Sequence, residues 1–196
     1  MNAPDKTQPE PQRSRDRTLL MLIVVLFLGS AALAGALRFS GWRPSGMKNH
    51  GELLQPPGDL RKLTPRLADG RVYAWNPVER IWRIVLAPPP GCDAPCVALS
   101  HDLDTVWRLF GRNADHVHVL WIGEPPSGAI RNEALRIVQP DPALRAALAR
   151  VDGAPGERKG VPVYVVDPNG FVILRYAPGF DPGHLREDVA RLLKLR

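Results

Sequence analysis

The sequence predicts a layered α/β domain carried behind one membrane-spanning helix. Three observations predict it. Residues 19–37 carry no charged side chain. Residues 81–176 alternate short β-branched runs with helical periodicity. The only two cysteines, Cys92 and Cys96, fall where the first of those runs gives way to a helix.

The charge-free run reads LLMLIVVLFLGSAALAGAL. Roughly 20 helical residues cross a hydrocarbon core, so it is just long enough to span. The alternative is a cleaved signal peptide, for which Ala34-Gly35-Ala36 offers an A-x-A site. The run exceeds the usual apolar core of such peptides, about 7–15 residues, which favours an uncleaved anchor. Arg13, Arg15 and Arg17 precede it, and Arg38, Arg43 and Lys48 follow. The positive-inside signal is nearly balanced. The short N-terminal tail and the cysteine usage place the N-terminus in the cytoplasm and the domain in a bacterial periplasm, on a single-pass inner-membrane protein. Four segments follow: a disordered cytoplasmic tail at 1–18, the anchor at 19–37, a Pro- and Gly-containing linker at 38–66, and the folded domain at 67–196.

Within the domain, IWRIVL at 81–86 reads as a buried strand, ended by three prolines at 88–90. Leu99, Leu103, Val106, Trp107 and Phe110 recur at helical spacing. Residues 117–122 read as a second buried strand, broken by a Pro/Gly loop at 123–128. Asp141-Pro142 is a cap followed by a first-turn proline, opening a short helix with Leu144, Leu148 and Val151. Residues 163–166 and 171–176 form a hairpin about the turn Asp167-Pro168-Asn169-Gly170. Asp181-Pro182 caps a last helix that buries Leu185, Val189, Leu192 and Leu193. A short hairpin near 71–75 precedes the first strand. About 130 residues suffice for one core without disulfide staples.

The formal net charge of +6 is scattered rather than clustered. It suits a solvated surface or contact with anionic inner-membrane lipid. No basic stripe with interleaved aromatics marks a nucleic-acid site. Haem-attachment and phosphate-cradling motifs are absent from the sequence.

Cys92 and Cys96 stand in C-x3-C spacing at a strand-to-helix junction. A helix N-terminus stabilises a thiolate and so activates a thiol placed there. Residues four apart on a regular helix hold their Cβ atoms about 5–6 Å apart, too far for a disulfide, which needs about 3.5–4.5 Å. Cys92 must therefore sit off the helix if the pair closes. Reduced, the two soft sulfurs suit Cu(I). Structural zinc expects four ligands, and no second cysteine pair exists. The bland alternative is a small structural bridge or two inert thiols. Pro162 is the third candidate site residue. It precedes a buried strand, the position of the cis-proline that packs beside the cysteines in thioredoxin folds.

These residues resemble the Sco/SenC family, thioredoxin-like membrane-anchored cytochrome c oxidase assembly proteins of proteobacteria. The resemblance rests on Cys92 and Cys96 after a strand, VYVVDPNGFVILRY at 163–176, the acidic-Pro cap of the last helix, and N-x-G-x-L-x-x-P read as Asn49, Gly51, Leu53 and Pro56. It implies a thioredoxin-like fold, a central mixed sheet flanked by helices. It also implies cytochrome c oxidase subunits or their copper-delivery proteins as partners, and Cu(I) held by Cys92, Cys96 and a histidine. That histidine belongs near Lys159 or Gly160, and neither residue can ligate copper. The family motif also continues with proline where Val97 stands. Thiol–disulfide exchange needs only the two thiols and access to them, so it survives both departures. Three functions stay open at this point: exchange with Cys92 attacking and Cys96 resolving, a copper(I) chaperone with an unidentified third ligand, and a non-enzymatic tethered binding module.

Overall fold

A computed structural model of the chain describes residues 10–40 and 48–194. The chain divides into two units, Met1–Met47 and Lys48–Arg196. In the first, helix α1 runs Glu10–Phe39. Its stretch Arg15–Phe39 is long and apolar enough to cross a membrane. The helix begins inside the segment expected to be disordered; residues 1–9 of that segment lie outside the described residues.

The second unit is a six-stranded mixed sheet between helical layers. Its elements are β1 (Glu52–Asp59), β2 (Trp82–Leu86), α2 (Ala94–Arg108), β3 (Val117–Ile122), β4 (Leu135–Val138), α3 (Pro142–Ala146), β5 (Val163–Val166), β6 (Phe171–Tyr176) and α4 (Pro182–Leu192). The strand order is β1-β6-β5-β2-β3-β4. Strands β2, β3 and β4 run parallel. Strand β5 is antiparallel to β2 and to β6, and β1 is antiparallel to β6.

The mainly apolar runs of β2, β3 and β5, interrupted only by Arg83 and His118, follow from burial on both faces. Ile84, Leu86, Val119, Trp121, Val163 and Val165 face one side, with Leu103 and Val106 of α2 and Leu185 and Val189 of α4. Val85, Leu120, Ile122, Tyr164 and Val166 face the other, with Leu144, Leu148, Leu54 and Leu60. Turn chemistry fixes the hairpin. Asp167 Oδ1 accepts from the backbone N–H of Asn169 (3.0 Å) and of Phe171 (2.7 Å). Gly170 takes φ 98°, a conformation that suits glycine.

Two strands differ from the sequence expectation. Residues 52–59, assigned to the linker, form β1, and the folded unit starts at Lys48 rather than at 67. The Pro-Pro-Gly stretch is tolerated because β1 is an edge strand with an irregular register between Leu53 and Gly58. β4, at 135–138, falls where the sequence predicts no element; its four residues complete the other edge. The hairpin expected near 71–75 is reduced to an isolated bridge between Arg66 and Val72.

One buried carboxylate fastens the lead into β1. Asp188 on α4 is 3% exposed. Its Oδ2 accepts from His50 N (2.7 Å), Gly51 N (2.9 Å) and the Tyr176 hydroxyl (2.7 Å). Its Oδ1 accepts from Arg191 (3.1 Å). Gly51 is needed here because a Cβ would lie 2.6 Å from Tyr176 Cζ.

Candidate functional site

Strand β2 ends at Leu86, and three prolines and Gly91 lead to the cysteines. Gly91 turns the chain with φ 74°. Cys92 lies two residues before α2, off the helix, and is half-buried. Cys96 sits in the first turn of α2 and is fully buried in the core. The two are joined by a disulfide with a Cα–Cα distance of 5.6 Å. The backbone N–H groups of Cys96 (3.0 Å) and Val97 (2.9 Å) donate to the Asp93 carbonyl, which closes the first turn. Pro95 occupies the first turn, where its missing N–H costs nothing. Of the two cysteines only Cys92 keeps solvent exposure; Cys96 has none.

Cys92 borders a groove of about 800 Å³. Trp121 and Ile122 at the end of β3 form part of its floor, and Pro88 to Pro90, Pro126, Pro140 and Pro142 its walls. In the sequence Pro88 to Pro90 end a strand, Pro126 lies in a loop and Pro142 opens a helix, and none of them points by itself to a site. The signal available was their recurrence after each parallel strand end, where α/β sheets place their sites.

Pro162 is buried at the start of β5, beside Val163, which pairs with Leu86. Its bond to Val161 is trans, which corrects the expected cis-proline; the one cis bond among the described residues is Gln55–Pro56. Trans is the intrinsic preference of an X-Pro bond. Here Gly160, with φ 153°, supplies the bend into the strand. Pro162 does not line the groove beside Cys92.

No histidine joins the sulfurs. Lys159 and Gly160 are exposed. His50 and His184 stack on each other at 4.0 Å, His101 is exposed on α2, and His116 lies 3.7 Å from Asp115. Among the described residues no group of three or more His, Cys, Asp or Glu is placed to hold a metal ion.

His118 belongs to a polar cluster that the sequence did not reveal. The Tyr73 hydroxyl lies 2.8 Å from His118 Nδ1 and accepts from Arg83 Nε at 3.0 Å. Arg136 approaches His118 Nε2 at 3.3 Å. Arg136 can only donate, so Nε2 accepts and the ring proton is assigned to Nδ1. Burial, then the Arg136 and Arg83 charges, hold the imidazole down to about 4. Burial pushes the Tyr73 phenol up. Arg83, 1% exposed, also donates to the carbonyls of Asp167 (3.1 Å) and Pro168 (3.0 Å), tying β2 to the hairpin turn.

The core β3-β2-β5-β6, with a cysteine pair between β2 and the helix that follows it, defines a thioredoxin-like domain. The chain belongs to the family described as transmembrane-like, thioredoxin-like, C-terminal domain, whose model matches residues 82–196. No curated protein matches the chain. Solved structures of the same fold include BsSco, described as a Sco-family cytochrome c oxidase assembly protein with a disulfide switch. It is 10% identical with a TM-score of 0.52, covering 74% of this chain and 98% of that one. ScoI of Arabidopsis thaliana with copper bound is 13% identical with a TM-score of 0.47, covering 68% and 96%. Peroxiredoxin Q of Xanthomonas campestris is 16% identical with a TM-score of 0.45, covering 75% and 97%. At 10% identity the likeness to BsSco is one of fold. Sco proteins are among the structural neighbours, in keeping with the sequence resemblance.

Proposed function

We propose that the chain is a membrane-anchored thiol–disulfide exchange factor acting on a copper-site partner during cytochrome c oxidase assembly. One observation carries the reading: a half-exposed Cys92 bridged to a fully buried Cys96 at a helix start. The description of BsSco as an oxidase assembly protein with a disulfide switch supports the setting. Helix α1 supplies the anchor in the inner membrane, with the domain on the periplasmic side.

The chemistry is balanced within the two proteins. A partner thiolate attacks Cys92 Sγ, the Cys92–Cys96 bond breaks, and Cys96 leaves as a thiolate in the first turn of α2. A second partner thiol, once deprotonated, attacks the mixed disulfide and releases Cys92 as a thiolate. The partner loses two electrons and this chain gains them. Run backwards, Cys92 attacks a partner disulfide and Cys96 resolves the adduct.

Titration of the full chain in detergent against glutathione tests this. A potential between about −120 and −270 mV, the range of exchange proteins, is expected. A value below about −300 mV would mark a structural bridge and leave the tethered binding module as the function.

A second reading uses the same atoms. The two reduced sulfurs, both soft, form a ligand pair for Cu(I) as cargo. Anaerobic titration of the reduced chain is expected to show Cu(I) uptake that disappears in Cys92→Ser, Cys96→Ser. Uptake unchanged in that variant would remove the copper reading.

A further inference from the structure

We infer that the groove beside Cys92 docks an extended, cationic segment of the exchange partner, presenting the partner's own cysteine to Cys92. The inference rests on the exchange reading and deepens it. Six prolines line the groove, and their fixed φ limits the backbone freedom of its wall. Prolines 88–90 offer no backbone N–H, so a docked peptide cannot extend the sheet along that wall. Its side chains must make the contacts.

The charge of the channel identifies the occupant. The whole chain carries a net charge of +6. The groove instead holds Asp93, Glu124, Asp141 and Asp152 against one guanidinium, Arg145. Two of these carboxylates are neutralised: Glu124 pairs with Arg131 at 2.8 Å, and Asp152 pairs with Arg145. Arg145 is also held inward by the Ala87 carbonyl at 2.6 Å. Asp93 and Asp141 have no cationic partner among the described residues. Asp93 is exposed, makes no capping hydrogen bond and adjoins Cys92 in the chain. An apolar lining beside a reactive sulfur, with Asp93 unpaired and Asp141 bonded only to the α3 backbone N–H groups of Ala143 and Leu144, fits one kind of ligand. It is an extended peptide with a cysteine, an apolar residue for the proline walls, and a Lys or Arg facing Asp93 and Asp141.

The test uses the full Cys96→Ser chain in detergent, whose only thiol is Cys92, and the reduced wild-type chain alongside it. The probes are two octapeptides, identical except for flanking Lys or flanking Glu, each with one cysteine carried as its mixed disulfide with thionitrobenzoate. The Cys92 thiolate attacks the peptide sulfur, the new disulfide forms, and thionitrobenzoate leaves as a coloured thiolate; mass spectrometry confirms the peptide adduct. A neutral reference, dithiodipyridine, reports bare thiol access. The Lys peptide is expected to react about tenfold faster than the Glu peptide at low salt. The ratio should fall towards one in ~1 M salt, and should fall also in Asp93→Asn. Equal or inverted rates with a normal reaction of dithiodipyridine would overturn the docking inference and leave exchange standing. Failure of dithiodipyridine as well would sink the exchange reading itself. Slow, equal reaction of both peptides that accelerates on dilution would place a second copy of the chain in the groove, and would also overturn the inference.

Discussion

Asp188→Ala is expected to destabilise the domain by about 4 kcal/mol, with Gly51 N, His50 N and the Tyr176 hydroxyl losing their acceptor together. Each buried donor left without a partner costs roughly 1–3 kcal/mol. The alanine also weakens the tie between the lead into β1 and α4, leaving the His50–Glu187 pair (3.2 Å) and the Arg191 bond to the Lys48 carbonyl to hold it. Two companion changes separate the causes. Tyr176→Phe removes one donor and leaves the carboxylate with its other partners, so a loss of about 1 kcal/mol is expected. Asp188→Asn keeps the volume but offers one carbonyl oxygen where three donors converge, and should fall between the two. The buried position and the Asp188 carboxylate both push the Tyr176 phenol up, so its proton stays on the hydroxyl and the bond persists into alkaline solution. Urea unfolding of the full chain in detergent, followed by tryptophan fluorescence, measures all three. A smaller loss for Asp188→Ala than for Tyr176→Phe would show that the carboxylate does not organise this junction.

His118 is expected to make stability rise with pH between about 4 and 6.5. In the unfolded chain the imidazole takes its proton near 6.5, whereas in the fold it resists protonation until about 4. Between those values the unfolded state binds more protons, so stability falls as pH drops and levels off below the folded value. Burial is the main cause, followed by the Arg136 and Arg83 charges. A proton on Nε2 would face the donor-only guanidinium of Arg136. Discounted for partial solvent access, the effect is on the order of 2 kcal/mol across that window. His118→Gln should flatten it. Two carboxylates act lower down. Arg61 holds Asp59, and Arg175 holds Glu157, at about 2. Their contribution is present above the ordinary values of 3.8 and 4.5 and is lost as pH falls to about 2. A His118→Gln chain that kept the same slope between pH 4.5 and 6.5 would remove this imidazole as its source.

Much of the fold was legible because its strands are buried on both faces. The runs at 117–122, 163–166 and 171–176 have the bounds read from the sequence, since a strand with both faces largely buried writes itself as a mainly apolar run, interrupted in these three only by His118 and Arg175. The Asp-Pro pairs at 141 and 181 were legible for a local reason. Asp141 accepts from Ala143 N and Leu144 N, and Asp181 from Gly183 N, all within three residues. The cysteine pair was legible as well, because a strand end, a helix start and a thiol are adjacent in the chain.

Other features were decided only by tertiary structure. β1 pairs through its backbone with β6, more than a hundred residues away, and its Pro-Pro-Gly sequence carries no strand signal. Asp188 shares the apolar face of α4 with Leu185 and Val189, yet the N–H groups it satisfies come from 137 and 138 residues earlier. The trans bond at Pro162 depends on how the loop before β5 bends, which local propensity does not report. The groove beside Cys92 is assembled from the ends of β2, β3 and β4 with the start of α3 and Asp152, so no single segment shows it. The sequence by itself determined a membrane-capable helix, the α/β layering and the position of the thiols, because periodicity, caps and burial pattern act within a few residues. Tertiary structure decided which cysteine keeps solvent exposure, what lies beside it and which charges are buried, because those depend on distances between segments that the chain order does not encode.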